Sequence, residues 1–157
     1  MNGTAKRFTI LVADDDADDR ALIREALEEI DRPCKVHCVE DGEQLLNYLY
    51  HRDHYATQGA APLPDLILLD LNMPRKDGRE ALREIKADDH LRFIPIVIFS
   101  TSNSPEDVHA AYVIGANSYI PKPHSFQELV IALDQLGKYW FDIVVLEDAM
   151  MAAALPS

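Results

Sequence analysis

Two kinds of hydrophobic segment alternate along the chain. Phe8 to Ala13 is a short apolar run, partly β-branched, of the kind that forms a buried strand. Ala17 to Ile30 follows, with Leu22, Ile23, Ala26, Leu27 and Ile30 recurring on one helical face, and Pro33 just beyond helps to end that helix. Val36 to Val39 reads as a second strand. Gly42 to Arg52 reads as a second helix with Leu45, Leu46 and Leu49 inward. Gly59, Pro62 and Pro64 mark residues 53 to 64 as a loop. Asp65 to Asp70 is a third strand, wholly apolar from Leu66 to Leu69. Gly78 to Ala87 is a third helix and Ile94 to Phe99 a fourth strand. Ser104 starts a fourth helix with Pro105 at its first position; Glu106 and Asp107 suit its positive end and Gly115 closes it. Ser118 to Ile120 is a short fifth strand. Ser125 caps a last helix, with Glu128 placed for a capping box, that runs to about Tyr139.

Strands that are apolar throughout belong to a sheet covered on both faces, and strand–helix alternation implies parallel pairing through right-handed crossovers. The predicted fold is therefore α/β, a doubly wound five-stranded parallel sheet with helices on both faces. A length of 157 residues fits one domain. The expected organisation is a tail over 1–7, a domain over 8–139 and an extension over 140–157. No apolar run approaches the roughly 20 residues of a membrane-spanning helix. Met1 to Arg7 is short and polar, without the apolar region of a secretory signal. These features predict a cytoplasmic chain with no membrane partner.

Charge narrows the function classes. The net charge of -12 repels phosphate backbones and argues against a nucleic-acid partner. It either keeps the chain dispersed or places some acids in a cation site, and position decides between these. Cys34 and Cys38 are expected as free thiols, and His51 and His54 as surface residues at a helix end, too sparse for a metal site. Nucleotide binding is disfavoured, since the chain has no Gly-rich phosphate loop.

In a doubly wound sheet, ligands bind beyond the carboxyl ends of the strands. Asp14, Asp15 and Asp16 follow the first strand, Asp70 ends the third, Ser100 and Thr101 follow the fourth, and Lys122 follows the fifth. Any one of these is unremarkable: an Asp after a strand is often a helix cap, as Asp16, Asp18 or Asp19 could be, and a lone Lys is usually a solvated charge. Their conjunction is informative. Two carboxylates ~4 Å apart repel by about 4 kcal/mol at an effective dielectric of 20, which a divalent cation relieves. Magnesium takes oxygen ligands and is commonly held by one or two carboxylates plus phosphate. A hydroxyl at Ser100 and an ammonium at Lys122 suit phosphoryl oxygens.

Four segments, "ILVADDDADDR", "LILLDLNMPRKDG", "IPIVIFSTS" and "YIPKP", resemble those of receiver domains, the phosphoacceptor modules of two-component response regulators. The resemblance covers about residues 8 to 139. It implies a flavodoxin-like strand order 2-1-3-4-5, with Asp70 as phosphoacceptor and Asp14 and Asp15 as the acidic pair for Mg2+ (or Mn2+). It also implies a metal contact from the backbone carbonyl of Asn72, Ser100 as switch hydroxyl, Tyr119 as rotating aromatic, Lys122 as the paired lysine, and a cis bond from Lys122 to Pro123. Ser100 stands where threonine is more usual. Pro121 is expected to shorten the fifth strand, and Asp16 is an additional acid.

The loop over 53–64, the "NMPRKDGREAL" segment and "YWFDIVV" resemble single-domain regulators that serve bacterial phytochromes and related sensor kinases. The implied partners are a sensor histidine kinase, such as a bacterial phytochrome, and a downstream protein. The apolar stretch of Tyr139, Trp140, Phe141, Ile143, Val144, Val145 and Leu146 either folds back on the domain or forms a homodimer contact. No turnover enzyme is expected beyond slow self-dephosphorylation. The rival readings are a phosphorylation-independent protein-binding receiver and a haloacid-dehalogenase-type phosphatase. For the latter, Asp14 and Asp16 have the D-x-D register, but no Thr or Gly follows.

Overall fold

The computed structural model describes residues 7–57, 59–147 and 155. Of the expected tail only Arg7 is among them, and most of the extension beyond 147 lies outside the described residues.

Five strands, β1 (Phe8–Ala13), β2 (Cys34–Val39), β3 (Leu66–Leu69), β4 (Ile96–Ser100) and β5 (Ser118–Pro121), form one parallel sheet in the order β2-β1-β3-β4-β5. Five helices alternate with them: α1 (Ala17–Glu29), α2 (Gly42–Leu49), α3 (Gly78–Ala87), α4 (Pro105–Ile114) and α5 (Phe126–Gly137). Successive strand residues face opposite sides, so the sheet divides the core in two. Leu11, Ala13, Ile67, Leu69, Ile96 and Ile98 pack with α2, α3 and α4. Ile10, Val12, Leu66, Leu68, Val97 and Phe99 pack with α1 and α5. This two-sided burial is why β1, β3 and β4 carry no solvent-facing polar residue along their centres.

Each of these five α-helices starts on a side-chain cap: Asp16, Asp41, Asp77, Ser104 and Ser125 each accept a backbone N–H of the first turn. Such caps contribute about 1 kcal/mol each. Three of the caps are aspartates, so part of the chain's negative charge is spent on helix starts rather than on the site.

The structure moves several boundaries. β2 begins earlier, at Cys34, because Phe8 of β1 pairs with it. α2 stops at Leu49 rather than Arg52, where the backbone turns to positive φ at His51 (57°) and Asp53 (54°). A 3-10 turn, Asp53–Ala56, occupies part of the expected loop. β5 runs through Pro121, tolerated because β5 is an edge strand with one hydrogen-bonding flank open. Leu22, expected inward, is 40% exposed, whereas Ile23, Ala26, Leu27 and Ile30 are buried.

Part of the extension folds back on the domain. α5 passes into a π-helical turn, Lys138–Ile143. Phe141 stacks on Phe8 with ring centroids 4.1 Å apart, Trp140 packs against the α1/α5 side of the core, and Asp142 pairs with Arg32. Tyr139, Ile143 and Val145 stay exposed. Cys34 and Cys38 are free and half-buried, and His51 and His54 are exposed. No helix among the described residues is long and apolar enough to cross a membrane.

Candidate functional site

Four strand ends meet at one edge of the sheet. Asp14 lies one residue past β1, Asp70 one past β3, Ser100 ends β4, and Lys122 lies one past β5. Parallel pairing brings them level: the Asp70 N–H donates to the Ala13 carbonyl at 2.9 Å and the Lys122 N–H to the Ser100 carbonyl at 2.8 Å. Asp14, Asp70 and Ser100 are buried polar residues, at 2%, 6% and 0% exposure.

The ammonium of Lys122 is the centre of the charge pattern. It stands 2.7 Å from Asp14 Oδ2, 2.7 Å from Asp19 Oδ2 and 3.3 Å from Asp70 Oδ2. Burial would lower the pKa of this lysine, but the hydrogen bonds to Asp14 and Asp19, with the charges of Asp14 and Asp70, outweigh it and hold the ammonium protonated well above the ordinary lysine value. Burial raises the Asp14 carboxyl above its ordinary value, and Lys122 and the Asp16 N–H act in the opposite sense. One lysine therefore faces three carboxylates, leaving excess negative charge at the edge.

Oxygen atoms of Asp14, Asp15 and Asp70 lie within 4.8 Å of one another. Octahedral magnesium, with oxygens at about 2.1 Å from the metal, places its ligand oxygens at separations of that scale. The donor set is all oxygen and two of the three residues are buried, which fits a hard divalent cation. Asp16 is not in this cluster; its side chain accepts the N–H groups of Asp18 and Asp19 and caps α1. The D-x-D pair required by the phosphatase reading therefore does not converge.

The loop after Asp70 is pinned from both sides. The N–H of Asn72 donates to Asp70 Oδ1 at 3.2 Å. The Gly78 N–H donates to the Leu71 carbonyl at 2.9 Å, drawing α3 onto the loop. Arg75, at φ 63°, donates to buried Asp41 at 2.8 Å, and the Gly42 N–H donates to the Lys76 carbonyl at 2.9 Å. Asp41 both caps α2 and anchors this loop. No sequence motif signalled that second role, nor the recruitment of Asp19 by Lys122.

Ser100 Oγ accepts the Ser102 N–H at 3.3 Å, and the Tyr119 hydroxyl donates to the Ser102 carbonyl at 2.7 Å. The Tyr119 ring is half-buried and packs on the α2–α4 side of the core, so it already lies inward. One expectation is corrected: the Lys122–Pro123 bond is trans, as are all described peptide bonds. Trans is the lower-energy form of an X–Pro bond by about 0.5–1 kcal/mol, and in this form Lys122 already reaches Asp14, Asp19 and Asp70.

A doubly wound sheet of this order, with acids and a lysine at its carboxyl edge, defines the receiver class of signalling domains. The chain belongs to that family: the model of the response regulator receiver domain matches residues 10–134. It is 38% identical over 133 residues to the probable methanogenesis regulatory protein FilR2 of Methanothrix harundinacea, covering 85% of this chain and 83% of that protein. It is 35% identical over 143 residues to the response regulator Rcp1 of Synechocystis, covering 91% of this chain and 95% of that protein. Among solved structures it resembles the phosphorylated cyanobacterial phytochrome response regulator RcpA, with a TM-score of 0.84, 38% identity, and coverage of 91% of this chain and 100% of that one. It also resembles the Mn(2+)-bound form of Rcp1, with a TM-score of 0.80, 33% identity, and coverage of 90% and 99%.

Proposed function

We propose that this chain is a phosphoacceptor regulator: Asp70 takes a phosphoryl group from a phosphohistidine of a sensor kinase and the domain passes the signal on by protein contacts. The observation that carries this reading is the convergence of Asp14, Asp15 and Asp70 around a shared position beside the Lys122 ammonium. The Asp70 carboxylate attacks the phosphorus in line. The new P–O bond forms as the P–N bond to the donor histidine breaks, and the electron pair leaves with the imidazole. Asp14, Asp15, Asp70 and the Asn72 carbonyl would hold Mg2+ or Mn2+. When bound, the cation would screen the charge of the transferring oxygens, the main requirement of phosphoryl transfer. Lys122 offers a second positive group to a phosphoryl oxygen, and the Ser100 hydroxyl a hydrogen bond. Hydrolysis of the acyl phosphate later restores the carboxylate, so the chain is not a turnover enzyme for an outside substrate.

The test is labelling by acetyl phosphate, read by intact mass spectrometry. With Mg2+ the protein gains one phosphoryl group, and with EDTA in place of Mg2+ the gain falls to background. Labelling that is indifferent to chelation removes the metal from the reading.

The kinase contact is assigned to a groove beside the site. It has a volume of about 120 Å³ and is lined by Asp19, Leu22, Lys122, His124 and Phe126 among others. Leu22 and Phe126 are exposed there, at 40% and 37%, which gives an apolar rim next to the phosphoacceptor. Leu22→Asp is expected to slow transfer from a phosphorylated kinase at least roughly ten-fold, the loss of about 1.4 kcal/mol of contact, while labelling by acetyl phosphate keeps its rate. Equal slowing with both donors would instead place Leu22 in the support of the site.

The similarity to phytochrome response regulators supports a bacterial phytochrome as the cognate kinase, testable by phosphotransfer profiling against candidate kinases. The exposed Tyr139, Ile143 and Val145 support a homodimer through the extension; a light-scattering mass that stays monomeric across a concentration series would exclude it.

A further inference from the structure

Ser102 is a junction on which the two switch residues meet. Its N–H donates to Ser100 Oγ at 3.3 Å, and its carbonyl accepts the Tyr119 hydroxyl at 2.7 Å. Its own hydroxyl donates to Asp107 Oδ2 at 2.5 Å. The other carboxylate oxygen of Asp107 accepts from Arg79 Nη2 at 3.0 Å. Ser104 reinforces the arrangement: its Oγ accepts the Asp107 N–H at 3.2 Å and its N–H donates to Ser102 Oγ at 3.4 Å. Arg79 belongs to the first turn of α3, directly after Gly78, which is bonded to the loop leaving Asp70. A continuous line of polar contacts thus runs from the loop after Asp70, through Arg79, Asp107 and Ser102, to Tyr119.

The physical weight of this line comes from the tyrosine hydroxyl. A Tyr119 ring packed on the core is favoured when its hydroxyl finds an acceptor, because a half-buried hydroxyl without one loses part of its hydration uncompensated. The acceptor is the Ser102 carbonyl, on a loop between β4 and α4. Whatever fixes that loop fixes the share of molecules with Tyr119 inward.

We propose that Asp107 and Arg79 are positioning residues of the phosphoacceptor site: together they hold the Ser102 carbonyl where it receives the Tyr119 hydroxyl, and so favour the arrangement that binds a phosphoryl group. The proposal rests on the reading of Asp70 as phosphoacceptor and on the contacts that Ser100 and Tyr119 share with Ser102. Neither Asp107 nor Arg79 touches the reacting atoms. Their effect passes through Ser102 as a coupling between sites and is therefore reciprocal: what favours inward Tyr119 tightens phosphoryl binding, and phosphoryl binding favours inward Tyr119.

The experiment is a double-mutant cycle read by titration with beryllofluoride in the presence of Mg2+, a stable mimic of the phosphoryl group. NMR signals of the Tyr119 ring are recorded on the same samples. Asp107→Asn is expected to raise the half-saturating concentration roughly two- to ten-fold, the worth of one hydrogen bond. Arg79→Gln is expected to move it in the same direction by a smaller factor, and this variant carries the test if Asp107→Asn does not fold. In a Tyr119→Phe background, Asp107→Asn is expected to change nothing further, because no hydroxyl remains to be placed. In unliganded Asp107→Asn, the Tyr119 ring signals move toward those of an exposed tyrosine. An equal effect of Asp107→Asn in both backgrounds, or no effect in either, overturns the proposal. If the unsubstituted protein neither binds beryllofluoride nor takes label from acetyl phosphate, the phosphoacceptor reading fails instead. The ring signals of the unliganded variants then still decide whether Asp107 positions Tyr119.

Discussion

Asp70→Asn is expected to abolish labelling, both from acetyl phosphate and from a phosphorylated kinase, while leaving the fold in place. The amide has almost the shape of the carboxylate, and its oxygen still accepts the Asn72 N–H that Asp70 Oδ1 receives at 3.2 Å. What disappears is the nucleophile, one metal-binding charge, and the contact to Lys122 at 3.3 Å. Lys122 keeps Asp14 and Asp19, both at 2.7 Å, so no buried charge is orphaned. The strongly destabilising loss of a partner, about 3–5 kcal/mol where a buried pair is broken, is therefore not expected. Melting temperature should stay close to that of the parent. Phosphopeptide mapping adds a check, because a label that migrates to Asp15 is distinguishable from one that vanishes. Undiminished labelling of the variant would sink the assignment of Asp70.

Gly78→Ala is expected to produce a large loss of stability for so conservative a change. A Cβ at this position would lie 2.2 Å from the Asp70 carbonyl oxygen, 2.8 Å from Leu71 Cα and 3.0 Å from the Asp70 carbonyl carbon. All three are backbone atoms and cannot swing aside. Either α3 lifts from the loop, breaking the 2.9 Å bond from Gly78 to Leu71, or the loop shifts and takes Asp70 with it. Overpacking of this severity costs about 3 kcal/mol, which for a domain of this size lowers the melting temperature by roughly 6–12 °C. Labelling should slow as well, since Asp70 is on the displaced backbone. Gly59→Ala is the control. Its position has φ +83° and open space around it, so the expected cost is only the left-handed conformation, about 1–2 kcal/mol, with labelling unchanged. A melting temperature for Gly78→Ala equal to that of Gly59→Ala would show that the close approach at Gly78 is not what holds α3 over the phosphoacceptor.

Helix starts and strand centres were the most legible features. Ser104, Pro105 and Gly115 bracket α4 as their types predict, and α3 spans Gly78 to Ala87 as read. Caps act on their own helix within three residues, and a doubly covered strand must be apolar throughout, so both leave local marks. Ends set by partners were less legible. The start of β2 at Cys34 depends on its pairing with Phe8, and the stop of α2 at Leu49 on backbone turns at His51 and Asp53.

The site divides in the same way. By itself, the order of residues determined that Asp14, Asp70, Ser100 and Lys122 stand at the ends of four different strands, because strand and helix periods are written into neighbouring positions. It also determined the class of chemistry, since carboxylates, a hydroxyl and an ammonium at one sheet edge suit a cation and a phosphoryl group. Only the tertiary structure decided which acids Lys122 touches. Its partners lie 103 and 52 residues away, at Asp19 and Asp70, and nothing in the local sequence separates Asp19 from the neighbouring Asp16 or Asp18. The fold separates them by turning Asp16 to the α1 cap and Asp19 toward β5. It likewise decided that Lys122–Pro123 is trans, that Leu22 faces outward, and that Asp107 reaches Ser102 on one side and Arg79 of α3 on the other. The physical reason is common to all of these. Periodicity and capping are short-range and repeat with the chain, whereas the choice of one partner among several equivalent side chains is made by strand order, register and the direction in which each helix leaves the sheet.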